Sequence, residues 1–302
     1  MLVLVNGLPY FGKKLVKDLN EFDSKRTYIF LDTYYSKLDK LLFFFLVPFS
    51  KLIISFNGVS DNSGALNWAM KWKKKILMQW QGSDVMIAQS RFNNQTINLD
   101  YINNSIHVSD FDYLIDELKS ININARLLPF KHIEGSEIHH TYAKVSVLTY
   151  VSQNNESLYG FESIIDAAKE LKEIEFHVIG SNCNSFKPLP NNVIVHGWKS
   201  SNEVDKMMLQ CPIFVRMTKH DGNALTVTEA LSKGCEVIWT YPNEYSHLAS
   251  STHELIFQIK NISLLLQNRQ MQSNANQSNL ILKKYIRNEV IPSYVNFINS
   301  IL

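Results

Sequence analysis

The sequence predicts an α/β protein made of two successive doubly wound units that face a cleft. Short apolar runs alternate with longer amphipathic stretches, the pattern of parallel strands joined by crossover helices. The alternation breaks at a polar, glycine-containing stretch, 131–142 (KHIEGSEIHHTY), and then restarts. A length of 302 residues, 45% hydrophobic and 19% charged, suits two globular domains.

Strands are expected at 2–6 (LVLVN), 27–31, 51–56, 75–80, 104–108 and 125–130, with helices between them. After the break come a strand in KVSVLTYV, a helix over 158–172, strands at 175–180 and 192–197, a helix over 201–210 and a strand at 212–217. A helix closed by Gly234 and a strand at 236–240 follow. The Asn/Gln/Ser-rich stretch 267–279 reads as a solvated helix end or loop. Domains are expected over 1–135 and 143–280, with 281–302 apolar enough to pack back on the first. Two such units imply ligand binding at the carboxyl ends of strands.

A formal charge of +2 argues against a nucleic-acid binder. The charge is uneven, because residues 1–80 hold 12 Lys and Arg against 6 Asp and Glu. Three widely spaced cysteines, Cys183, Cys211 and Cys235, give no metal or disulfide framework, so a reducing, cytoplasmic setting is expected. The apolar start is interrupted by Asn6, Gly7 and Pro9 and has no basic leader, so no secretory signal is read. The longest apolar run, Leu41 to Phe49, contains Pro48 and is far short of the ~20 residues of a membrane span.

RMTKHDGNALTVTEALSKGCEVI, residues 216–238, is the most informative stretch. A strand ends, TKHDGN turns, and a helix begins at the carboxyl edge of a parallel sheet, where free backbone N–H groups and the positive helix end receive an anion. Asn223, Ala224, Leu225 and Thr226 form that mouth, and Gly222 has no side chain to obstruct a diphosphate. Glu229, two turns into the helix, is placed to accept hydrogen bonds from ribose hydroxyls. Read blandly, Asp221 is a helix N-cap, Glu229 a surface acid, and Leu225, Val227, Ala230 and Leu231 are core.

The acid, glycine, small residues and Glu-Ala-Leu, with the second acid eight positions after the first, resemble the donor motif of family-4-type glycosyltransferases of the GT-B fold. The usual first Glu is here Asp221, as in a branch with an Arg-x-Thr-x-x-Asp-Gly pattern, matched by Arg216, Thr218, Asp221 and Gly222. The resemblance covers about half the chain, from LTYVSQNNESLYGFESIIDAAKEL through FHVIGS and NVIVHGWKSSNEVDKMMLQCPIFVR. It implies two Rossmann-like domains. It also implies that Asp221 contacts the donor sugar, that Glu229 contacts the nucleotide ribose, and that no metal is required. The usual basic pair that neutralises the leaving diphosphate would fall near Asn154 and Tyr159, neither of them basic. Arg216 and Lys219 are the nearest substitutes in sequence.

The first half contributes VNGLPYFGKKL, a strand, glycine loop and helix opening expected to hold Gly12 over the cleft beside acceptor and donor phosphates. MQWQGSDVMIA resembles the family's His-x-Gly-Ser/Thr-Asp segment, with Gln or Trp for the His; Asp84 is a candidate to orient or deprotonate the acceptor hydroxyl, or a helix N-cap. DFD at 110–112 mimics a metal motif, but Ser109 to Asp112 reads as a capping box. His139 and His140 read as a solvated hinge, and His107 as a satisfied core residue. The apolar run with KWKKK (71–75) suits an anionic membrane surface.

The resulting expectation is a retaining glycosyltransferase (hexosyltransferase type). It would move a sugar from a nucleotide diphosphate donor to a glycan or lipid-linked acceptor in bacterial surface polysaccharide synthesis, in the cytoplasm or on the inner membrane face. Two alternatives stay open: an epimerase or phosphorylase of the same fold, and a non-catalytic sugar-nucleotide binding module.

Overall fold

The computed structural model describes residues 1–135 and 140–302. The chain divides into two compact units: Met1–Lys131 with Asp221–Asn223 and Arg287–Leu302, and His132–His220 with Ala224–Ile286.

In the first unit the order is β1 (Leu2–Gly7), α1 (Pro9–Phe22), β2 (Thr27–Phe30), α2 (Lys37–Leu46), β3 (Ser50–Phe56) and α3 (Gly64–Lys71). Then come β4 (Lys75–Trp80), α4 (Ser83–Asn93), α5 (Leu99–Asn103), β5 (Ile106–Ser109), α6 (Asp112–Ser120) and β6 (Ala125–Leu127). The second unit holds β7 (Ser146–Tyr150), α7 (Phe161–Glu170), β8 (Glu175–Ile179), β9 (Val193–Gly197), α8 (Ser201–Gln210) and β10 (Ile213–Arg216). It continues with α9 (Leu225–Ser232), β11 (Glu236–Trp239), β12 (His247–Leu248), α10 (Thr252–Asn268) and α11 (Ala275–Tyr285); α12 (Arg287–Ile301) belongs to the first unit.

Each unit has a six-stranded parallel sheet, in the orders β2-β1-β3-β4-β5-β6 and β12-β11-β10-β7-β8-β9. In the first, the order reverses between β1 and β3; in the second, between β7 and β10. Such switch points open a crevice at the carboxyl ends of the two strands, because the adjoining connections leave to opposite faces.

Burial on both faces explains the near-continuous apolar strands. Side chains alternate across the first sheet. Val3, Val5, Leu52, Ile54 and Leu77 pack with Leu15 and Leu19 of α1 and with Val290, Ile291, Tyr294 and Ile298 of α12. Leu4, Ile53, Ile76 and Met78 pack on the other side with Phe43, Leu66, Val85 and Leu114. In the second unit one cluster runs from Val147 and Phe176 to Ile259 of α10, and Leu148, Phe214, Val237 and Leu231 are buried outside it. Cys183, Cys211 and Cys235 all lie buried in that unit, and burial raises each thiol, Cys235 to about 12.

Strand placement follows the sequence pattern closely, with two larger differences and one at a helix cap. The run expected to extend from 125 to 130 pairs only over Ala125–Leu127, because Pro129 has no N–H for a ladder. The two-residue β12 is too short to produce a pattern. No capping box forms at 109–112: Ser109 lies in β5 with its hydroxyl on the Trp80 carbonyl, and α6 begins after Phe111 with no side-chain cap.

Candidate functional site

The second unit's switch point is built from two loops, 151–160 after β7 and 217–220 after β10. They are joined where 217–219 meets 158–160. Lys219 N–H donates to the Leu158 carbonyl at 2.8 Å, and the Thr218 hydroxyl reaches the same oxygen at 3.2 Å. Gly160 has φ +66°, and a Cβ there would fall 2.0 Å from the Met217 carbonyl oxygen, so glycine alone permits the approach. The 151–160 loop is braced from within by the buried Glu156, which accepts from the Ser181 hydroxyl at 2.5 Å and the Asn154 N–H at 3.2 Å.

Arg216 ends β10 as a buried cation, 7% exposed. Its guanidinium carbon lies 5.0 Å from the centre of the Tyr159 ring, and its Nη1 is 3.5 Å from Thr226 Oγ1, the outer limit of a hydrogen bond. Tyr159, one of the two positions at which the motif resemblance implies a base, is therefore the platform on which an arginine from the neighbouring strand rests. Lys219 is exposed.

Helix α9 has Ala224 as its N-cap, with no side-chain hydrogen bond. The cap reading of Asp221 is thereby corrected: the helix starts too far along the chain for that carboxylate, whose Oδ1 accepts the Gly222 N–H at 3.0 Å. Val227, Ala230 and Leu231 are core, Leu225 is half-buried, and Glu229 is half-buried on the helix. The helix closes at Gly234, φ +76°.

Asp221–Asn223 group with the first unit. Asn223 is buried there; its side-chain amide donates to the Asp110 carbonyl at 3.3 Å and its own carbonyl accepts from Lys131 Nζ at 2.7 Å. Lys131 also pairs with the buried Asp110 carboxylate at 3.0 Å and lies over the rings of Phe11 and Phe130. Burial raises the Asp110 pKa, and the Lys131 charge opposes that rise. A Cβ at Gly222 would meet the Gln81 carbonyl oxygen at 2.0 Å, so the glycine is required by the backbone around it.

Asp84 is 2% exposed, at the start of α4. Its carboxylate accepts from Gly58 N–H at 2.5 Å, Gly82 at 2.8 Å and Gln81 at 3.0 Å. Burial raises its pKa and these amides oppose the rise. Both oxygens are committed to fastening the turns after β3 and β4.

Gly12 is not in a loop. It sits within α1, where a Cβ would meet the Phe30 ring at 2.4 Å, so tight helix-to-strand packing accounts for it. The loop glycine is Gly7, φ +113°, held against the Phe56 carbonyl at the first unit's switch point. His107 is a satisfied core residue: Nδ1 accepts from Trp80 Nε1 at 3.1 Å, Nε2 donates to the Ile102 carbonyl at 2.8 Å, and burial lowers its pKa. His140 packs edge-on against Tyr142, and His139 lies outside the described residues.

Among the described residues no group of three metal-ligating side chains forms. No protein-family model matches the chain. No curated protein sequence matches it either. Solved structures do. Sucrose-phosphate synthase from Thermosynechococcus elongatus superposes with a TM-score of 0.69 over 100% of this chain and 99% of its own, at 10% identity. Anabaena HepE, solved with UDP-glucose, gives 0.66 over 99% and 100% at 11% identity. The fold is GT-B. A third GT-B neighbour, TarM, gives 0.62 at 13% identity over 85% of this chain, which spans only 57% of TarM. Three features were not read from sequence: in the second unit the Tyr159 platform and the Glu156 brace, and in the first the Lys131 lock. Each joins residues from separate loops, so no local spacing announces it.

Proposed function

We propose that this chain is a retaining glycosyltransferase of hexosyltransferase type. It would move a sugar from a nucleotide diphosphate donor to a glycan or lipid-linked acceptor, in bacterial surface polysaccharide synthesis. The observation that carries the reading is Arg216, seated on Tyr159 beside the uncapped start of α9 at the second unit's switch point. A buried guanidinium and a helix start with no side-chain cap are suited to the charge of a departing diphosphate. The UDP-glucose in the HepE structure supports the ligand class.

In this proposal Asp221 holds donor-sugar hydroxyls, Glu229 the ribose, and the backbone of 222–226 with Lys219 the phosphates. The bond from the sugar's anomeric carbon to the diphosphate breaks, the acceptor oxygen bonds to that carbon on the same face, and its proton passes to the departing phosphate oxygen. Metal has no part in it. Asp84, with its oxygens taken by amides, positions the Gln81–Gly82 turn instead of acting as a base, and Gly12 acts through packing. A lipid-linked acceptor is favoured because the first unit carries an apolar, lysine-rimmed face suited to an anionic inner membrane surface.

Thermal stabilisation by uridine, guanosine and adenosine diphosphates tests the donor site, since a ligand stabilises by RT ln(1 + [L]/Kd). Release of nucleotide diphosphate from the matching sugar donor is then followed with and without acceptor. Acceptor-dependent release supports transfer. Stabilisation by none of the nucleotides overturns the donor site, and binding without turnover leaves a sugar-nucleotide binding module.

A further inference from the structure

Helix α2 has two opposed uses within the first unit. Inward, Lys40, Phe43 and Phe44 line a cavity of about 540 Å3, bounded by Val59, Ala65 and Trp68, by polar groups of the loops after β2 and β3 and by the Asp61 carboxylate, which Arg91 pairs. Outward, Leu38, Leu41, Leu42 and Phe45 are exposed, at 66, 53, 41 and 60%, and Phe49 of the following 3-10 turn at 75%. Folding has left these side chains in water although the unit has a complete core elsewhere, and such a patch marks an interaction surface. It is rigidly built: Phe44 stacks on Trp68 at 3.9 Å, Trp68 donates to the Phe44 carbonyl, and Trp72 packs edge-on beside them.

Charge decides the occupant. Residues 34–75 hold seven lysines and two aspartates, and Asp61 is already paired with Arg91. A second copy of the chain, docking by two-fold symmetry, would set these lysines against themselves. An anionic bilayer meets both the apolar side chains and the lysines.

We propose that this face docks on an anionic bilayer and that the cavity takes the headgroup of one of its phospholipids, with the phosphate against Lys40. The headgroup site rests on the membrane-facing part of the proposed function, while its readout needs neither donor nor acceptor. The aromatic wall of Phe44 and Trp68 bounds the glycerol side, and Thr33, Asn62 and Ser63 offer hydrogen bonds to the headgroup.

Flotation with vesicles of phosphatidylglycerol in phosphatidylcholine, against phosphatidylcholine alone, reads the face. Titration with dihexanoyl phosphatidylglycerol below its micelle concentration, against inorganic phosphate, reads the cavity. Expected are flotation only with the anionic vesicles and saturable one-to-one binding of the short lipid, with phosphate far weaker. Leu41→Ser with Phe45→Ser removes flotation at least tenfold without unfolding, since both side chains are already exposed. Lys40→Gln weakens both readouts about fivefold, the size of one lysine near an anionic surface. Ala65→Met, which fills the cavity, abolishes short-lipid binding and leaves much of the flotation. Equal flotation on neutral vesicles overturns the charge argument. Short-lipid binding unchanged by both Lys40→Gln and Ala65→Met overturns the headgroup site. Concentration-dependent dimers abolished by the double serine variant would assign the face to a second copy. Failure here alongside intact acceptor-dependent release leaves the glycosyltransferase reading standing.

Discussion

The two units share a six-stranded parallel sheet but reverse strand order at different places, between β1 and β3 in one and between β7 and β10 in the other. They also place their polar groups differently. The first keeps a charged pair, Asp110 and Lys131, in its interior and exposes an apolar helix face; the second gathers Arg216, Tyr159, Glu156 and the Thr218 hydroxyl at its crevice. One architecture thus supports two kinds of surface, because the sheet core needs only apolar alternation and leaves the loops after the strands free to vary.

The largest effect that would sharpen this contrast is expected at Lys131. Lys131→Met strips a buried carboxylate of its cation and should cost the first unit about 3–5 kcal/mol, with much of the loss recovered when Asp110→Asn is added. Urea unfolding of both variants measures it, and a loss under 1 kcal/mol would mean the pair is not a lock. In the second unit, Gly160→Val forces a branched side chain into φ +66° and onto the Met217 carbonyl. A cost of about 3 kcal/mol, confined to that unit's unfolding transition, is expected. Arg216→Met should lower turnover about 100-fold, as removing one oxyanion donor does, while Tyr159→Phe, which keeps the ring, changes it less than threefold. Equal losses in both variants would place the importance in the phenol hydroxyl.

The smallest effect is a pH dependence. Burial depresses His107, and also His177 and His196 in the second unit, below the usual 6.5. The unfolded chain then binds protons that the folded one refuses, so stability is full above pH 6.5 and falls as pH drops below it. His107→Gln should flatten that fall in a urea-midpoint series from pH 7.5 to 5.5, and an unchanged slope would contradict the buried neutral ring.

The central strands were legible because they are buried on both faces and so read as apolar runs; 75–80 and the helix at 201–210 match to the residue. The Asp221 to Glu229 spacing marked the β10-to-α9 loop for the same local reason. Two readings failed where a distant neighbour decided the outcome, and the bland cap reading of Asp221 failed on chain distance alone. Gly12 serves the Phe30 ring, Ser109 was claimed by β5, and Asp221 stands ahead of a helix that starts at Leu225. Strand order was equally hidden, since crossover connections of similar length serve either order.

The three thiols offer a clock for only half of the molecule. All are enclosed in the second unit and held protonated by burial, so an alkylating reagent meets none of them until that unit opens. Its labelling rate counts those openings alone, and a cysteine introduced on the exposed side of α2 would carry a dye or spin probe without competition from native sulfur.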